Sequence, residues 1–485
     1  MTRGPRFTRR ALLGAGGAGA ASWLSRRRVY AEAAPTLVVD VHAHNFNASD
    51  LPVTGFTAHF IPFLSDFSRE ISDLPETLYR RVATEVTNAI DLIAPTAREE
   101  LAALPGSPDW PAPVADASVA NDVADKIAGA TAWLADLVGL KVDVHVVVRR
   151  AAQVVNLIAH ARAAVTATMA ATYPGVSLFV PMLVDYDSWT GDKARSPLPD
   201  QIAVHGALAR KSIAKPVGGA RLHPFVAFDP LRPDGLDLVK TAVEREGFIG
   251  VKVYPPVGFA PACNARLLNG NKRAVAIDNA LDGLYDYCTK NDVPVTTHCS
   301  TGNEFGLGFR DLVAPHRWEP VLRRFPKLRL NLGHFGHMYG VDSKNGFKAC
   351  DAWIRQACYL IDKFENVYGD LSGSDINLDA TADAYARLLK QAFARYPSVP
   401  KRLMYGGDWW LNRFSDGAPD YLNKFKANFA RLFPGETDLL ADVLGRNALR
   451  FLGFAQPGGG HAANGDRVAR LYRAASQPLP PWLAA

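Results

Sequence analysis

Residues 36–44 read TLVVDVHAH, an apolar run that ends in two histidines. Side chains alternate between the two faces of a strand, so His42 and His44 point to the same side and can reach one metal ion. Seven more short runs rich in Val, Ile, Leu and Phe follow, at 176–184, 222–228, 248–254, 293–298, 328–333, 367–371 and 402–405. Continuous apolar runs of this length are typical of parallel strands that are buried on both faces.

Helical patterns separate several of these runs, at 278–291, 320–325, 350–365 and 383–396. Eight strands that alternate with helices predict an α/β fold, a (β/α)8 TIM barrel over residues 34–455. No G-x-G-x-x-G motif follows any of the runs, which argues against a dinucleotide-binding domain.

The predicted barrel has two additions. Residues 45–175, between strands 1 and 2, contain helical patterns at 78–93, 116–138 and 151–171, and residues 141–148 form either a ninth strand or the start of a helix. We therefore expect a large, mainly helical insert at the carboxyl end of the barrel, which serves either as a lid or as the surface of a homodimer. Residues 456–485 begin with QPGGG and are predicted to form a flexible C-terminal tail with a short helix at 466–475.

The positive charge of the chain is concentrated at its start. The formal net charge of the 485 residues is +6, and residues 1–33 contain seven arginines and a single acid, Glu32. Outside this segment, basic and acidic residues are equal in number. The composition therefore gives no support to a nucleic-acid partner.

The same segment has the pattern of a twin-Arg export signal. Arg9 and Arg10 precede an apolar run over 11–24, which is too short for the roughly 20 residues that span a bilayer. Ala31-Glu32-Ala33 then forms a small-x-small cleavage site. We expect a signal peptide over 1–33, export to the periplasm or beyond by the twin-Arg machinery, cleavage by signal peptidase, and no stable membrane insertion. A basic tail and an uncleaved anchor are the alternatives.

Polar residues also follow three of the later runs. His298 ends VPVTTH, His334 follows LRLNLG, and Asp408 follows RLMYGG. Active sites of TIM barrels lie at the carboxyl ends of the strands, where these side chains would meet His42 and His44. Imidazole and carboxylate groups together suit Zn²⁺ or another divalent transition metal. The five cysteines contain no C-x-x-C pair, so a structural zinc site or a disulfide framework is not indicated.

Five segments, in order, resemble the amidohydrolase superfamily, and within it the group related to aminocarboxymuconate-semialdehyde decarboxylase. They are VDVHAH at 39–44, GVKVYP at 250–255, TH at 297–298, NLGHFG at 331–336 and YGGDW at 405–409. The segment RNALRFLG at 446–453 resembles the helix that closes such domains.

The resemblance implies a role for each matching residue. The metal ligands would be His42, His44, His298 and Asp408, with His334 beside the metal as an acid/base or substrate-polarising group. Lys252 would either be carboxylated and bridge two metals or contact the substrate as a lysine, and we favour the second reading. We therefore expect one divalent ion per chain, Zn²⁺ in the first instance.

The implied activity is hydrolysis of an amide, ester or lactone bond of a small molecule by a metal-activated water, with Asp408 taking its proton. The same ligands also suit non-oxidative decarboxylation of an aromatic or unsaturated acid, and a metal-free lactonase or a non-catalytic binding barrel are further alternatives. A decarboxylase would need cations for its carboxylate, and the candidates are Arg221, Lys252 and Arg310. The aromatic residues proposed for the pocket wall are Tyr254, Phe259, Trp409 and Trp410.

Overall fold

A computed structural model describes the chain over residues 37–52, 55, 94–104, 109–114, 156–301, 307–337, 346–378, 381–409, 420–456 and 458–484. The predicted leader, the helical patterns at 78–93 and 116–138 and the candidate strand at 141–148 lie outside these residues. So do Trp410 and most of the predicted insert.

All eight apolar runs form strands in the structure. In chain order the strands are β1 Val39–Ala43, β2 Leu178–Pro181, β3 Arg221–Leu222, β4 Phe225–Phe228, β5 Gly250–Val253, β6 Val295–His298, β7 Leu330–Gly333, β8 Val367–Asp370 and β9 Leu403–Met404. Strands β3 and β4 are two halves of one predicted run, interrupted at His223 and Pro224. The nine strands therefore occupy eight positions.

The helices alternate with these strands, as the sequence predicts. They are α1 Ala97–Ala103, α2 Arg162–Thr172, α3 Leu198–Ala214, α4 Gly235–Arg245, α5 Asn264–Leu267, α6 Ala274–Lys290, α7 Glu319–Arg324, α8 Gly346–Lys363, α9 Ala382–Arg395, α10 Tyr421–Leu432, α11 Thr437–Ala441, α12 Asn447–Leu452 and α13 Ala463–Ala474. Among the described helices, none is long and apolar enough to cross a membrane.

Hydrogen bonds between neighbouring strands close the ring. Every paired strand is parallel to its neighbour, in the orders β1-β2-β3 and β4 to β9. A parallel bridge between Met182 and Phe225 joins β2 to β4, and the Val41 amide donates to the Tyr405 carbonyl at 3.2 Å, which joins the end of β9 to β1. The structure therefore confirms the (β/α)8 barrel.

The C-terminal residues form a packed closure of the amino end of the barrel. The ring of Phe451, on α12, lies 6.3 Å from that of Phe225 and 5.4 Å from that of Tyr368, which stand on two separate strands. Trp482 stacks on Phe454 at 5.4 Å and is only 4% exposed. The prediction of a flexible tail at 456–485 is therefore wrong, because the apolar side chains after the QPGGG break are buried against the barrel.

A buried ion network ties the described part of the insert to the loop that follows β1. The Arg162 guanidinium, which is fully buried, contacts both carboxylate oxygens of Asp50 at 2.5 and 2.7 Å and Glu100 at 3.0 Å. Asp50 lies six residues beyond His44, and Glu100 belongs to α1. The network therefore holds α1 and the start of α2 against the segment that carries the first two histidines.

Candidate metal centre

The two histidines of β1 are oriented by acceptors on neighbouring strands. His42 Nδ1 lies 3.0 Å from Asp370 Oδ2, and His44 Nδ1 lies 3.0 Å from the Met182 carbonyl oxygen. Since both partners are acceptors, each Nδ1 carries the proton and each Nε2 keeps its lone pair. Holding a ligand histidine through its second nitrogen is the usual arrangement in metal sites.

Asp408 completes a cluster of three donors. Its Oδ1 lies 3.6 Å from His44 Nε2, and one ligand atom from each of His42, His44 and Asp408 lies within 4.8 Å of the others. Asp408 Oδ1 is buried and has no hydrogen-bond partner among the described residues. A buried carboxylate oxygen without a hydrogen-bond donor reduces stability unless a cation satisfies it. This set of ligand atoms therefore fits a divalent metal ion.

The backbone at Asp408 has an uncommon conformation. Its φ is 42°, in the left-handed region, and its amide donates to the His42 carbonyl at 2.6 Å. His334 and Phe335, after β7, have φ values of 63° and 50°. Non-glycine residues in this region are strained and concentrate at functional sites.

Asp370, at the end of β8, is an acceptor at the centre of the site. It accepts hydrogen bonds from the Asn331 side chain at 2.7 Å and from the Ser372 hydroxyl at 2.5 Å, in addition to its contact with His42. Burial alone would raise the pKa of Asp370, but its interactions with His42 and His334 and the hydrogen bond from Ser372 outweigh burial and hold that pKa far below its ordinary value. Asp370 is therefore an anion that fixes the orientation of His42.

Asp40 links the segment that carries His42 and His44 to the segment that carries Asp408. Its Oδ1 accepts from the amides of His42 at 3.1 Å and Gly407 at 2.8 Å. A Cβ atom at position 407 would lie 2.4 Å from Asp40 Oδ2, so only glycine fits there. Burial raises the pKa of Asp40 to about 8, which keeps this carboxyl largely protonated at neutral pH.

The other two predicted site histidines lie side by side. The ring of His334 is 4.5 Å from that of His42 and 4.7 Å from that of His298. His298 does not belong to the three-residue donor cluster, and its Nε2 lies 3.1 Å from the Ser300 hydroxyl. Burial lowers the pKa values of His44, His298 and His334 well below the ordinary value, so these imidazoles are neutral and able to act as ligands or bases.

Lys252 points into the same group of side chains. Its Nζ lies 3.3 Å from His42 Nε2, and the residue is 1% exposed. Burial lowers the pKa of Lys252 to about 8, against the opposing influence of Asp370 and Asp408. A lysine in this state can lose its proton near neutral pH, which suits either of the two predicted roles.

The predicted pocket residues do not all lie at the site. Tyr254 does, with its ring 5.0 Å from that of His298. Trp409 follows Asp408 but is fully buried in the core, and Arg310 is exposed. Arg221 is the first residue of β3 and lies over the Tyr472 ring at the amino end of the barrel, so its assignment to the pocket is wrong.

Sequence reasoning missed Asp370 and Ser372, which contact both His42 and His334. Ser372 Oγ lies 3.1 Å from His42 Nδ1 and 3.0 Å from His334 Nδ1. The available signal was an acid at the end of the buried run VYGD, the same signal that identified Asp408.

The chain is similar to several solved structures. An amidohydrolase from Burkholderia multivorans with bound zinc is 15% identical, covers 57% of this chain and 83% of its own, and has a TM-score of 0.37. A uronate isomerase from Bacillus halodurans is 12% identical, covers 86% and 94%, and also has a TM-score of 0.37. An uncharacterised TIM-barrel protein from Bordetella bronchiseptica is 16% identical, covers 59% and 79%, and has a TM-score of 0.39.

No curated protein matches the chain. The family model described as Amidohydrolase matches residues 200–454, which is more than half of the 485 residues. This span includes β3 to β9, with Lys252, His298, His334, Asp370 and Asp408. The chain belongs to the amidohydrolase family and is an enzyme of the metal-dependent hydrolase type.

Proposed function

We propose that this protein is an exported hydrolase that holds one Zn²⁺ ion through His42, His44 and Asp408 and cleaves an amide, ester or lactone bond of a small molecule. The observation that carries the proposal is the donor cluster itself: three ligand atoms within 4.8 Å of one another. In support of it, both imidazoles are oriented by acceptors, and the carboxylate oxygen is buried without a donor. His298, one ring away, is the candidate for a fourth ligand.

A bound divalent ion would lower the pKa of a coordinated water to about 7 and polarise the carbonyl that is attacked. Asp408 accepts a proton at its carboxylate, and burial raises the pKa of this group, which makes it a stronger base than an exposed aspartate. Asp370 holds His42 in one tautomer throughout, because its own pKa is too low for it to take a proton.

His334 is suited to proton transfer at the leaving group. Its Nδ1 lies 3.2 Å from the Ser372 carbonyl oxygen, so this nitrogen carries the proton in the neutral ring. Nε2 is then the atom that accepts a proton and returns it. A positioned group of this kind contributes typically ~10²–10⁴-fold to a rate.

The metal proposal is tested by elemental analysis of the protein purified after metal-replete growth. We expect about one zinc per chain in the wild type, as for a three-ligand catalytic site, and a loss of most of this metal in Asp408→Asn. Asp237→Asn is the matched control, because Asp237 is exposed on α4 and its carboxylate pairs with Lys240 at the surface. Wild-type protein without metal would contradict the proposal.

The reaction class is tested on the zinc-loaded enzyme with aryl esters, anilides and lactones, and separately with aromatic acids. We expect hydrolysis that Asp408→Asn abolishes and Asp237→Asn retains. Release of CO₂ from an aromatic acid without hydrolysis of any ester, amide or lactone would show a decarboxylase instead.

The export proposal rests on the sequence of residues 1–33, with the twin-Arg machinery and signal peptidase as its partners. N-terminal sequencing of protein from the periplasm should give a mature chain that starts near Ala34. Replacing Arg9 and Arg10 with lysine should leave the precursor in the cytoplasm, whereas export of that variant would argue against the twin-Arg route.

A further inference from the structure

The residues that follow His44 form a largely buried loop. Strand β1 ends at Ala43, so the backbone at His44 continues directly into residues 45–50, which we call the ligand loop. Four polar side chains of this loop are at most 4% exposed, those of Asn45, Asn47, Ser49 and Asp50. Because water does not reach these side chains, the conformation of the loop depends on hydrogen bonds to other parts of the protein.

The backbone of Asn45, next to His44, is held from α3. His205 Nε2 lies 2.7 Å from the Asn45 carbonyl oxygen, and its Nδ1 lies 2.8 Å from the Gln201 carbonyl oxygen. Burial lowers the pKa of His205, so the ring is neutral and donates through one nitrogen. The Gln201 carbonyl lies one helical turn earlier and already accepts the backbone N–H of His205. The ring proton is therefore placed on Nε2, where it satisfies the Asn45 carbonyl.

The side chain of Asn45 is held from α2. Its Nδ2 donates to Thr166 Oγ1 at 2.8 Å, and this hydroxyl donates in turn to the Arg162 carbonyl at 2.8 Å. Thr166 is fully buried. Two helices outside the ring of strands therefore fix the residue that directly follows His44, one through its carbonyl and the other through its side chain.

The other end of the ligand loop is held by the same two helices. The Arg162 guanidinium of α2 binds the Asp50 carboxylate, and the Asp50 backbone carbonyl accepts from the Gln201 side chain of α3 at 3.2 Å. Gln201 and His205 are one turn apart, so one face of α3 contacts both ends of the loop. A shift of the loop relative to α2 and α3 would therefore break hydrogen bonds at both ends.

His44 depends on this support more than His42 does. The His42 side chain is fully buried and is held by Asp370 and Ser372. The side chain of His44 is 14% exposed, and its Nδ1 contacts the Met182 carbonyl. Groups behind a metal ligand hold it in the orientation that the metal requires, and their loss typically weakens metal affinity by about 10- to 100-fold.

We infer that His205 and Thr166 are positioning residues of the metal centre. Both act on Asn45, and through it they fix the direction of the His44 side chain. Neither belongs to the cluster of ligand atoms itself. Thr166 lies in the segment that the sequence predicts as an insert, so α2 contributes to metal affinity. The inference rests on the proposed function, because it requires His44 to bind the metal.

The zinc affinity of the full-length protein, measured by competition with a chelator, tests this inference. His205→Leu removes the donor to Asn45, and we expect it to bind zinc roughly 10- to 100-fold more weakly than the wild type. His205→Gln should recover most of that affinity, because its amide nitrogen can replace Nε2 as the donor. His223→Leu is the matched control, because His223 is a buried histidine at the amino end that contacts Tyr472. This control should lose stability and bind zinc like the wild type.

Unchanged zinc affinity of folded His205→Leu would overturn the inference, and so would an equal loss of affinity in His223→Leu. If His205→Leu does not fold, Thr166→Val decides the question, because valine keeps the shape of threonine and removes the acceptor for Asn45. Its affinity should fall, and wild-type affinity would overturn the inference.

Asp408→Asn is measured in the same series to separate this inference from the proposed function. A wild type that binds zinc no better than Asp408→Asn would refute the proposed function, and the inference with it. If Asp408→Asn loses zinc while His205→Leu and Thr166→Val keep wild-type affinity, the positioning role alone is refuted.

Discussion

At the carboxyl end of the barrel, the side chain of Asp408 has a buried oxygen without a donor and a backbone φ of 42°. At the amino end, the side chain of Asn464 donates to two backbone carbonyls, those of Ile249 and Leu452, at 2.9 Å each. Both residues are buried and polar. Asp408 has a strained backbone and an oxygen without a hydrogen-bond donor among the described residues, whereas the side-chain amide of Asn464 satisfies two backbone carbonyls.

The difference indicates that the two ends of the barrel have separate roles, stability at the amino end and metal binding at the carboxyl end. Strain and unpaired polar atoms reduce stability, and they persist only where the surrounding structure enforces them. In this protein the surrounding structure is the closed ring of strands together with the C-terminal residues that cover the amino end of the barrel. Changes at the amino end should therefore alter stability and leave metal binding intact. Changes at the carboxyl end should impair metal binding and alter stability much less.

The largest effect on stability is expected from Trp482→Ala. Trp482 stacks on Phe454 and lies near His223 and Tyr472. Removing a buried aromatic ring costs about 3–5 kcal/mol in the free energy of unfolding. Urea denaturation should show this loss, and zinc content should stay at the wild-type value.

The exposed Val275 supplies the control, because Val275→Ala should change stability by no more than about 0.5 kcal/mol. A loss of zinc from folded Trp482→Ala would show that the two ends are not separable.

Acid should weaken the amino end through His223. This ring contacts the Tyr472 hydroxyl and the Gly247 carbonyl, and burial lowers its pKa to about 4. The unfolded chain takes up a proton below about pH 6.5, whereas the folded chain does so only near pH 4. The stabilising contribution of the neutral ring is therefore complete above pH 6.5 and decreases as the pH falls toward 4, by roughly 2 kcal/mol between pH 7.5 and pH 5.

Urea denaturation at pH 7.5 and pH 5 measures this contribution by comparison with His223→Gln, which keeps hydrogen-bonding groups but does not titrate. The variant should lose about 2 kcal/mol less than the wild type over this pH range. His316→Gln, at an exposed histidine, should behave like the wild type. Equal pH dependence of His223→Gln and wild type would contradict the role of His223.

The barrel and three of its site residues were predictable because their signals are local. A buried strand is visible as a continuous apolar run, and a polar residue directly after such a run lies at the carboxyl end. This rule located His42, His44 and Asp408, which the structure brings together. The same rule applied to the run that ends in Asp370 would have identified that residue as well.

Other features depend on contacts between distant parts of the chain. Asp370 orients His42 across 328 positions of sequence, and no pattern in either segment specifies that contact. The C-terminal residues gave a misleading local signal, because a Gly-rich break precedes side chains whose burial is determined only by the barrel. Arg221 is a pocket candidate as a cation next to a strand end, but it lies at the amino end of that strand, away from the site.

The smallest expected effect concerns the strain at Asp408. Glycine adopts a φ of 42° without the cost that a side chain incurs there, although it also gains freedom in the unfolded chain. In protein stripped of metal, Asp408→Gly should therefore be more stable than Asp408→Asn by up to about 1 kcal/mol. Both variants remove the carboxylate and should fail to retain zinc, so their difference in urea denaturation isolates the backbone. If Asp408→Asn is the more stable of the two, the left-handed turn is not strained, and the unpaired oxygen alone distinguishes this end of the barrel from the other.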